Sequence, residues 1–235
     1  MLNNKHIVVI GGTSGIGMEV ARLCKSDGAR VTVVGRDLIK LEATTRDLGV
    51  VGLVGDVTGR DVKQWAATIE GPIDHVYFAA GSFVGGGFLD VDLDIYRSAI
   101  EARMWEPAKV IQAIYPQLAE DASITFTGGV STRSPNNGSW VTNIATSIAD
   151  QMAKALAVEL APKRFNTMAP GFILTPMWNM LSDADRAGYT ELFTSKTPTR
   201  RLASVQEAAQ AVVSLFKNPG INGQSIYVDG GYTFA

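Results

Sequence analysis

Cysteine and histidine are nearly missing from this chain, with one cysteine (Cys24) and two histidines among 235 residues. A lone thiol closes no intramolecular disulfide, and so few nitrogen and sulfur ligands argue against a dedicated structural zinc site. An excess of charge is missing too. Lys and Arg number 21 against 23 Asp and Glu, a formal net charge of −2, so there is no basic footprint for nucleic acid. No uncharged stretch is long and apolar enough to span a bilayer. Only the apolar run Ile7 to Ile10 precedes Gly11-Gly12, too short for the apolar region of a secretory signal. Internal repeats, low-complexity tracts and Ser/Pro-rich linkers are likewise lacking, so nothing marks a domain boundary. What remains is 46% hydrophobic and 19% charged, ordinary globular usage that excludes disorder of the whole chain. The expectation is a cytoplasmic protein with neither a nucleic-acid nor a membrane partner.

What the chain has is alternation. Runs rich in β-branched residues occur at His6 to Ile10, Arg30 to Val34, Val50 to Val54, His75 to Ala79, Ser123 to Thr127, Arg164 to Ala169 and Ser225 to Val228. Between them, segments of helical period cover Ile16 to Asp27, Leu38 to Asp47, Asp61 to Ile69, Leu93 to Leu118, Asn143 to Leu160 and Val205 to Phe216. This order predicts one α/β domain over 1–235, a doubly wound Rossmann fold with about seven parallel strands and helices on both faces. Pro107 lies inside the helical segment Leu93 to Leu118 and is expected to kink it, because it removes an intrahelical donor. The stretch 172–199, where Met177, Trp178, Met180, Leu181, Tyr189 and Phe193 mix with polar residues, reads as an irregular substrate lid. Its apolar character points to a largely hydrophobic ligand.

Directly after the first strand comes Gly11-Gly12-Thr13-Ser14-Gly15-Ile16-Gly17, opening into a helix. Such glycines let the backbone turn sharply and approach a pyrophosphate, whose charge is met by the amides of the helix N-terminus. Where the second strand ends, an NAD-binding fold places an acid on the ribose hydroxyls. Here Gly35 is followed by Arg36, and a guanidinium pairs with a 2′-phosphate that an acid would repel. NADP(H) is therefore favoured over NAD(H), with Ser14 offering a further hydrogen bond; the alternative is that Arg36 is a solvated surface residue or stacks on the adenine without preference. Gly55-Asp56-Val57 closes the third strand where a short side chain holds the adenine amine, unless Asp56 merely caps the next helix.

These residues resemble the short-chain dehydrogenase/reductase family. The likeness extends to Ala79-Ala80-Gly81 after the fourth strand, to Ala157 through Pro162 at the end of the long helix, to Pro170-Gly171-Phe172-Ile173-Leu174-Thr175 after the sixth strand, and to Gly223 through Gly231. The resemblance implies that Pro170, Gly171, Ile173 and Thr175 hold the nicotinamide carboxamide and that Ala80 and Gly81 line the ribose. It also implies a homo-oligomer, tetramer or dimer, built on the two long helices and the C-terminal strand region. Ile148, Met152, Ala155 and Glu159 then face a partner helix, or else pack inward on the sheet.

The family's chemistry is hydride transfer between nicotinamide and a carbonyl or alcohol carbon, assisted by a tyrosine acid/base, a lysine four residues later, a serine and an asparagine. Counting from Glu159 and from the fifth strand places the first three positions at Thr142, Thr146 and Gly129, and counting back from Pro116 places the asparagine position at Arg103. None of the expected residues stands there. Lys154 is too far along the helix from Thr146, about 12 Å, and no tyrosine lies between Tyr115 and Tyr189. Thr142 and Thr146 are spaced to hold a water. Ser131 is displaced about 6.6 Å from Gly129 and reads as a polar loop residue, or else faces the same side. Arg103 is either a cation for an anionic group near the nicotinamide or a surface residue paired with a carboxylate. Two functions stay open: an NADP(H)-dependent oxidoreductase with a non-standard active site, or a catalytically silent NADP(H)-binding sensor or scaffold. No residue is assigned as catalytic.

Overall fold

The structure is a computed structural model that describes residues 1–59, 61–81, 84–89 and 92–235. Its strands are β1 (His6–Ile10), β2 (Arg30–Gly35), β3 (Val51–Val54), β4 (Ile73–Phe78), β5 (Leu118–Thr127), β6 (Arg164–Pro170) and β7 (Ser225–Val228). The helices are α1 (Gly15–Ser26), α2 (Leu38–Leu48), α3 (Val62–Ala66), α4 (Leu93–Arg103), α5 (Trp105–Ile114), α6 (Trp140–Glu159), α7 (Asp183–Lys196) and α8 (Val205–Lys217). The strands form one sheet in the order β3-β2-β1-β4-β5-β6-β7, and each paired neighbour runs parallel. The chain winds outward from β1 to β3, then returns to place β4 on the other side of β1. That reversal opens a crevice at the carboxyl ends of β1 and β4, where doubly wound sheets bind ligands.

Both faces of the sheet are covered, as an all-parallel sheet requires. On one face Val8, Val76, Phe78, Ile124 and Phe165 pack under Trp65 of α3, Ile111 and Ile114 of α5, and Ala149, Ala153 and Ala157 of α6. On the other, Val9, Val33, Tyr77 and Met168 pack under Val20 and Cys24 of α1 and Val212, Leu215 and Phe216 of α8. The inward stripe of α6 is thus its alanines, offset from the expected one. Of the latter only Met152 packs against the core, while Ala155 and Glu159 are exposed.

The expected long helix over Leu93 to Leu118 is two helices. It breaks at Met104, whose φ of −118° and ψ of −66° interrupt the regular turn. Pro107, which lacks the hydrogen to reach the Arg103 carbonyl, therefore lies in the first turn of α5, where no intrahelical donor is needed, and does not kink a continuous helix. The chain then passes through a 3-10 turn at Tyr115–Gln117 into β5, which starts at Leu118. The stretch read as irregular also carries regular structure: a 3-10 turn at Pro176–Met180 and the helix α7. The Ser182 hydroxyl accepts from the Asp185 amide at 3.1 Å and caps α7.

Two buried polar groups shape the sheet's lower edge. Arg164, 9% exposed, donates from Nη1 to the carbonyls of Leu215, Asn218 and Ile221 (3.1, 3.0 and 2.8 Å) and from Nη2 to that of Phe216 (3.0 Å). One guanidinium so satisfies the otherwise unpartnered carbonyl end of α8. His75 stacks on Phe216 with ring centroids 4.8 Å apart, and burial pulls its pKa down to about 4. Held neutral in the folded state but free to protonate when unfolded, it stabilises the fold above its ordinary pKa near 6.5, and that contribution is lost as pH falls from there towards 4. His6, lowered mainly by burial as well, acts in the same direction. Urea unfolding at pH 7.5 and 4.5 is expected to show a His75-dependent loss of roughly 2–3 kcal/mol. His75→Phe, which keeps the ring stack, should remove that component; an unchanged pH dependence would contradict the assignment.

Candidate active site

A cleft of about 750 Å³ lies over the carboxyl ends of the central strands. Gly11, Thr13, Ser14, Gly15, Ile16, Gly17, Arg36, Asp56, Val57, Ala80, Gly81, Pro170, Gly171 and Thr175 all line it. Ile173 does not: its side chain is buried among the residues under α1 and α8, and its carbonyl accepts the Trp178 indole N–H at 2.9 Å.

The glycine turn is a cradle that side chains would fill. Gly11 has φ of +82°, and a Cβ there would stand 2.8 Å from the Ala80 nitrogen. A Cβ on Gly17 would collide with the Gly11 carbonyl. Ser14 is the N-cap residue of α1, and no side chain caps the helix, which leaves the amides of the first turn for an anion. At the end of β2, Arg36 is exposed and makes no hydrogen bond or ion pair among the described residues. Its neighbour Asp37 is occupied instead, accepting from the Lys40 amide at 3.1 Å as the cap of α2. Asp56 does not cap the next helix, whose N-cap residue is Asp61. Its Oδ1 accepts from the Thr58 amide and hydroxyl at 2.9 and 2.8 Å, a local turn at the rim of the cleft.

At the other end of the cleft, around the positions expected for the acid/base residues, the polar contacts are mostly closed on themselves. The Thr142 hydroxyl donates to the Val84 carbonyl at 2.9 Å and accepts from the Val84 amide at 3.2 Å. The Thr146 hydroxyl lies 3.0 Å from Ser131 Oγ and 2.9 Å from the Thr142 carbonyl. Ser131 is therefore no solvated loop residue; it is 8% exposed and belongs to the cleft wall. Among the described residues Arg103 is not paired with a carboxylate. Its Nη1 donates to the Thr127 carbonyl at 2.6 Å, and its guanidinium covers Gly81 so closely that a Cβ there would collide with it. Burial pulls the guanidinium pKa below its usual value, but arginine stays charged.

Two cleft residues escaped the sequence reading. Tyr77 is fully buried in the floor, its hydroxyl 2.9 Å from Thr127 Oγ1, which donates to the Phe78 carbonyl at 2.7 Å. Burial holds this phenol above the usual range, so it is a poor acid and is committed to Thr127. The strand alternation that puts Tyr77 on the face of Ala79 was the available signal. Glu106, in the first turn of α5, also faces the cleft, and nothing in the helical pattern distinguishes it from a surface glutamate. On the far side, Phe172, Trp178 and Phe193 line the cleft. Phe172 stacks on Phe193 at 4.9 Å and lies 4.6 Å from Trp178, and Phe193 lies 5.0 Å from Tyr232.

Comparison with known proteins gives this geometry a family. A model described as enoyl-(acyl carrier protein) reductase matches residues 11–233. A 3-oxoacyl-(acyl-carrier-protein) reductase from Bos taurus is 30% identical over 238 residues, covering 97% of this chain and 98% of the relative. The chain belongs to the short-chain dehydrogenase/reductase family. Dehydrogenase/reductase SDR family member 4 of Homo sapiens is 28% identical, covering 98% of this chain and 88% of the relative. The crystal structure of a small-chain dehydrogenase in complex with NADPH superposes with a TM-score of 0.86 at 27% identity, covering 99% of this chain and all of the other (100%). The MalC reductase/Diels-Alderase from Malbranchea aurantiaca, at 24% identity, shares the fold with a TM-score of 0.90, covering 100% of this chain and 98% of that one. This dehydrogenase/reductase chain is thus an oxidoreductase of that type with a nicotinamide-cofactor fold, and no helix among its described residues is long and apolar enough to cross a membrane.

Within this dehydrogenase/reductase site positions 129 and 146 are coupled sterically. A Cβ on Gly129 would stand 2.9 Å from the Thr146 methyl, so a serine at 129 and a branched residue at 146 exclude each other. Gly129→Ser alone is expected to cost about 1–3 kcal/mol through overpacking. Combined with Thr146→Lys, whose unbranched Cβ vacates that space, the penalty should shrink, giving a coupling above about 0.5 kcal/mol in a double-mutant cycle. Additive urea midpoints would contradict the steric account.

Proposed function

We propose that the protein binds NADP(H) in this cleft and carries out hydride transfer at a carbonyl or alcohol carbon, with Arg103 meeting the charge that develops on the substrate oxygen. The placement of Arg103 carries this reading: a guanidinium held over Gly81 at the end of the cleft where the family's acid/base residues are missing. The 2′-phosphate is assigned to Arg36 and Ser14, the pyrophosphate to the first-turn amides of α1, and the adenine to Asp56 and Val57. Ala80 and Gly81 line the ribose. Pro170, Gly171 and Thr175 flank the nicotinamide, and Ile173 contributes through its main chain, since its side chain points into the core. The dinucleotide, when bound, supplies the hydride; orientation, charge stabilisation and proton delivery fall to the chain.

A fixed cation at a developing oxyanion is an electrostatic device that needs no proton transfer of its own. The final proton comes from water, which the Ser131–Thr146 hydroxyl pair is placed to orient. Absence of a positioned general acid costs about 100- to 10,000-fold, so turnover is slow compared with relatives that keep the tyrosine. The segment 172–199, tied down by its aromatic cluster, forms the lid and presents an apolar wall to the substrate. The name of the bovine relative makes 3-oxoacyl thioesters the first carbonyl compounds to test.

A second reading rests on Thr142, whose hydroxyl is fully engaged by the Val84 backbone: a protein that holds NADP(H) without turnover, as a sensor or scaffold. One experiment separates the two. NADPH binding is followed by fluorescence, then its oxidation is followed against 3-oxoacyl thioesters and a panel of apolar ketones. The oxidoreductase reading expects oxidation that Arg103→Met lowers about 100-fold in kcat, with NADPH affinity little changed and partial rescue by Arg103→Lys. Binding without any oxidation supports the silent reading, and oxidation indifferent to Arg103→Met removes the role given to that residue.

A further inference from the structure

The C-terminal turn joins two walls of the cleft and holds a residue there that the hydride chemistry does not use. Asp229, buried at the end of β7, fixes this turn by accepting from the amides of Gly231 and Thr233 at 2.9 and 3.0 Å. Tyr232 stands on the turn and is itself buried. Its ring centroid lies 5.0 Å from that of Phe193 in α7, and its hydroxyl donates to Asn136 Oδ1 at 3.2 Å. One phenol thus ties the lid segment to the loop between β5 and α6. Phe193 and Asn136 both line the cleft.

Asn136 is held from two sides. Its carbonyl accepts from the Ser139 amide at 3.3 Å, closing the turn that leads into α6, and its side-chain oxygen is committed to Tyr232. A primary amide has one acceptor oxygen and a nitrogen with two hydrogens. With the oxygen engaged, Nδ2 is the end left for a ligand, and no described residue accepts a hydrogen bond from it. A side chain locked by a supporting residue presents its free end in one orientation. That end is a donor without charge, which suits a neutral carbonyl oxygen, and the reacting oxygen is already assigned to Arg103. We infer that Asn136 is a specificity-determining residue, positioned by Tyr232, whose Nδ2 donates to a second carbonyl oxygen of the substrate, so that the site prefers an oxo ester or oxo thioester to an isolated ketone of the same length. This rests on the oxidoreductase reading above and names a second group that its substrate carries.

The test is calorimetry on the full chain loaded with NADP⁺, which has no hydride to give, so that binding is read independently of turnover. The probes are ethyl oxo esters in which one, two or three methylenes part the two carbonyls, each beside the ketone in which methylenes replace the ester carbonyl and ester oxygen. For the tightest ester, Asn136→Leu is expected to weaken binding by about three- to tenfold, the net worth of one neutral hydrogen bond, while the matching ketone binds unchanged or tighter. Tyr232→Phe keeps the ring against Phe193 but frees the amide, and should shift the ester-to-ketone ratio the same way by a smaller factor. A residue that only braces the fold would weaken both ligands alike. If Asn136→Leu does not melt cooperatively, Tyr232→Phe decides alone. Equal loss of ester and ketone, a ratio untouched by substitution, or no binding of any ester by the wild-type complex overturns the inference alone, while heat from NADP⁺ still upholds the dinucleotide site. Absence of heat from NADP⁺ overturns that reading and this inference with it.

Discussion

The contact between Gly11 and Ala80 is the constraint on which the ligand end of the molecule depends. At the crevice between β1 and β4 the two segments come so close that a side chain on Gly11, which takes a φ of +82°, would collide with Ala80. The amides of Ala79 and Ala80 both donate to the Ile10 carbonyl there, at 2.9 and 3.2 Å. This closeness sets the turn into α1, brings the helix N-terminus under the crevice, and fixes where Gly81, and with it Arg103, must lie. A parallel sheet with its winding reversed at one point supplies the crevice; glycine supplies the approach.

Around that frame the polar groups of the cleft wall are paired with one another. The Thr142 hydroxyl is clasped to the main chain of Val84 and Thr146 to Ser131. Arg103 reaches the Thr127 carbonyl, and the Tyr77 hydroxyl meets Thr127 from the floor. These contacts satisfy groups that burial would otherwise penalise, so the wall is ordered without any ligand. They also bring Gly129 and Thr146 into register: the methyl of the branched residue fills the space that a side chain at 129 would need.

The sheet, its order of strands and helices, and the glycine turn that lines the cleft were legible because each is a periodic or glycine-bearing signal. Strand alternation shows in β1, β2 and β4, and the glycine turn stands directly between β1 and α1. Boundaries set by a single residue were less so. The break at Met104 has no marker of its own; only Pro107, one turn later, records that the helix had to restart. Helix α7 was hidden because its apolar residues serve an aromatic cluster on one side and solvent on the other, although Ser182 and Asp185 carry a start signal. Ser131, Arg103, Tyr77 and Glu106 share one difficulty. Whether a polar side chain faces water, a carbonyl or a cleft depends on tertiary partners far away in sequence, such as the 50 residues that separate Tyr77 from Thr127.

Arg164 lets one further property be drawn from the architecture. A helix end is ordinarily the first place where a fold frays, because water replaces its loose carbonyls at little loss. At the end of α8 those carbonyls belong to a cation sunk in β6, so peeling the helix would strand a positive charge away from solvent. The carboxyl end of α8 and the start of β6 therefore part together, and the end of this helix is held against the fraying that its position would otherwise invite.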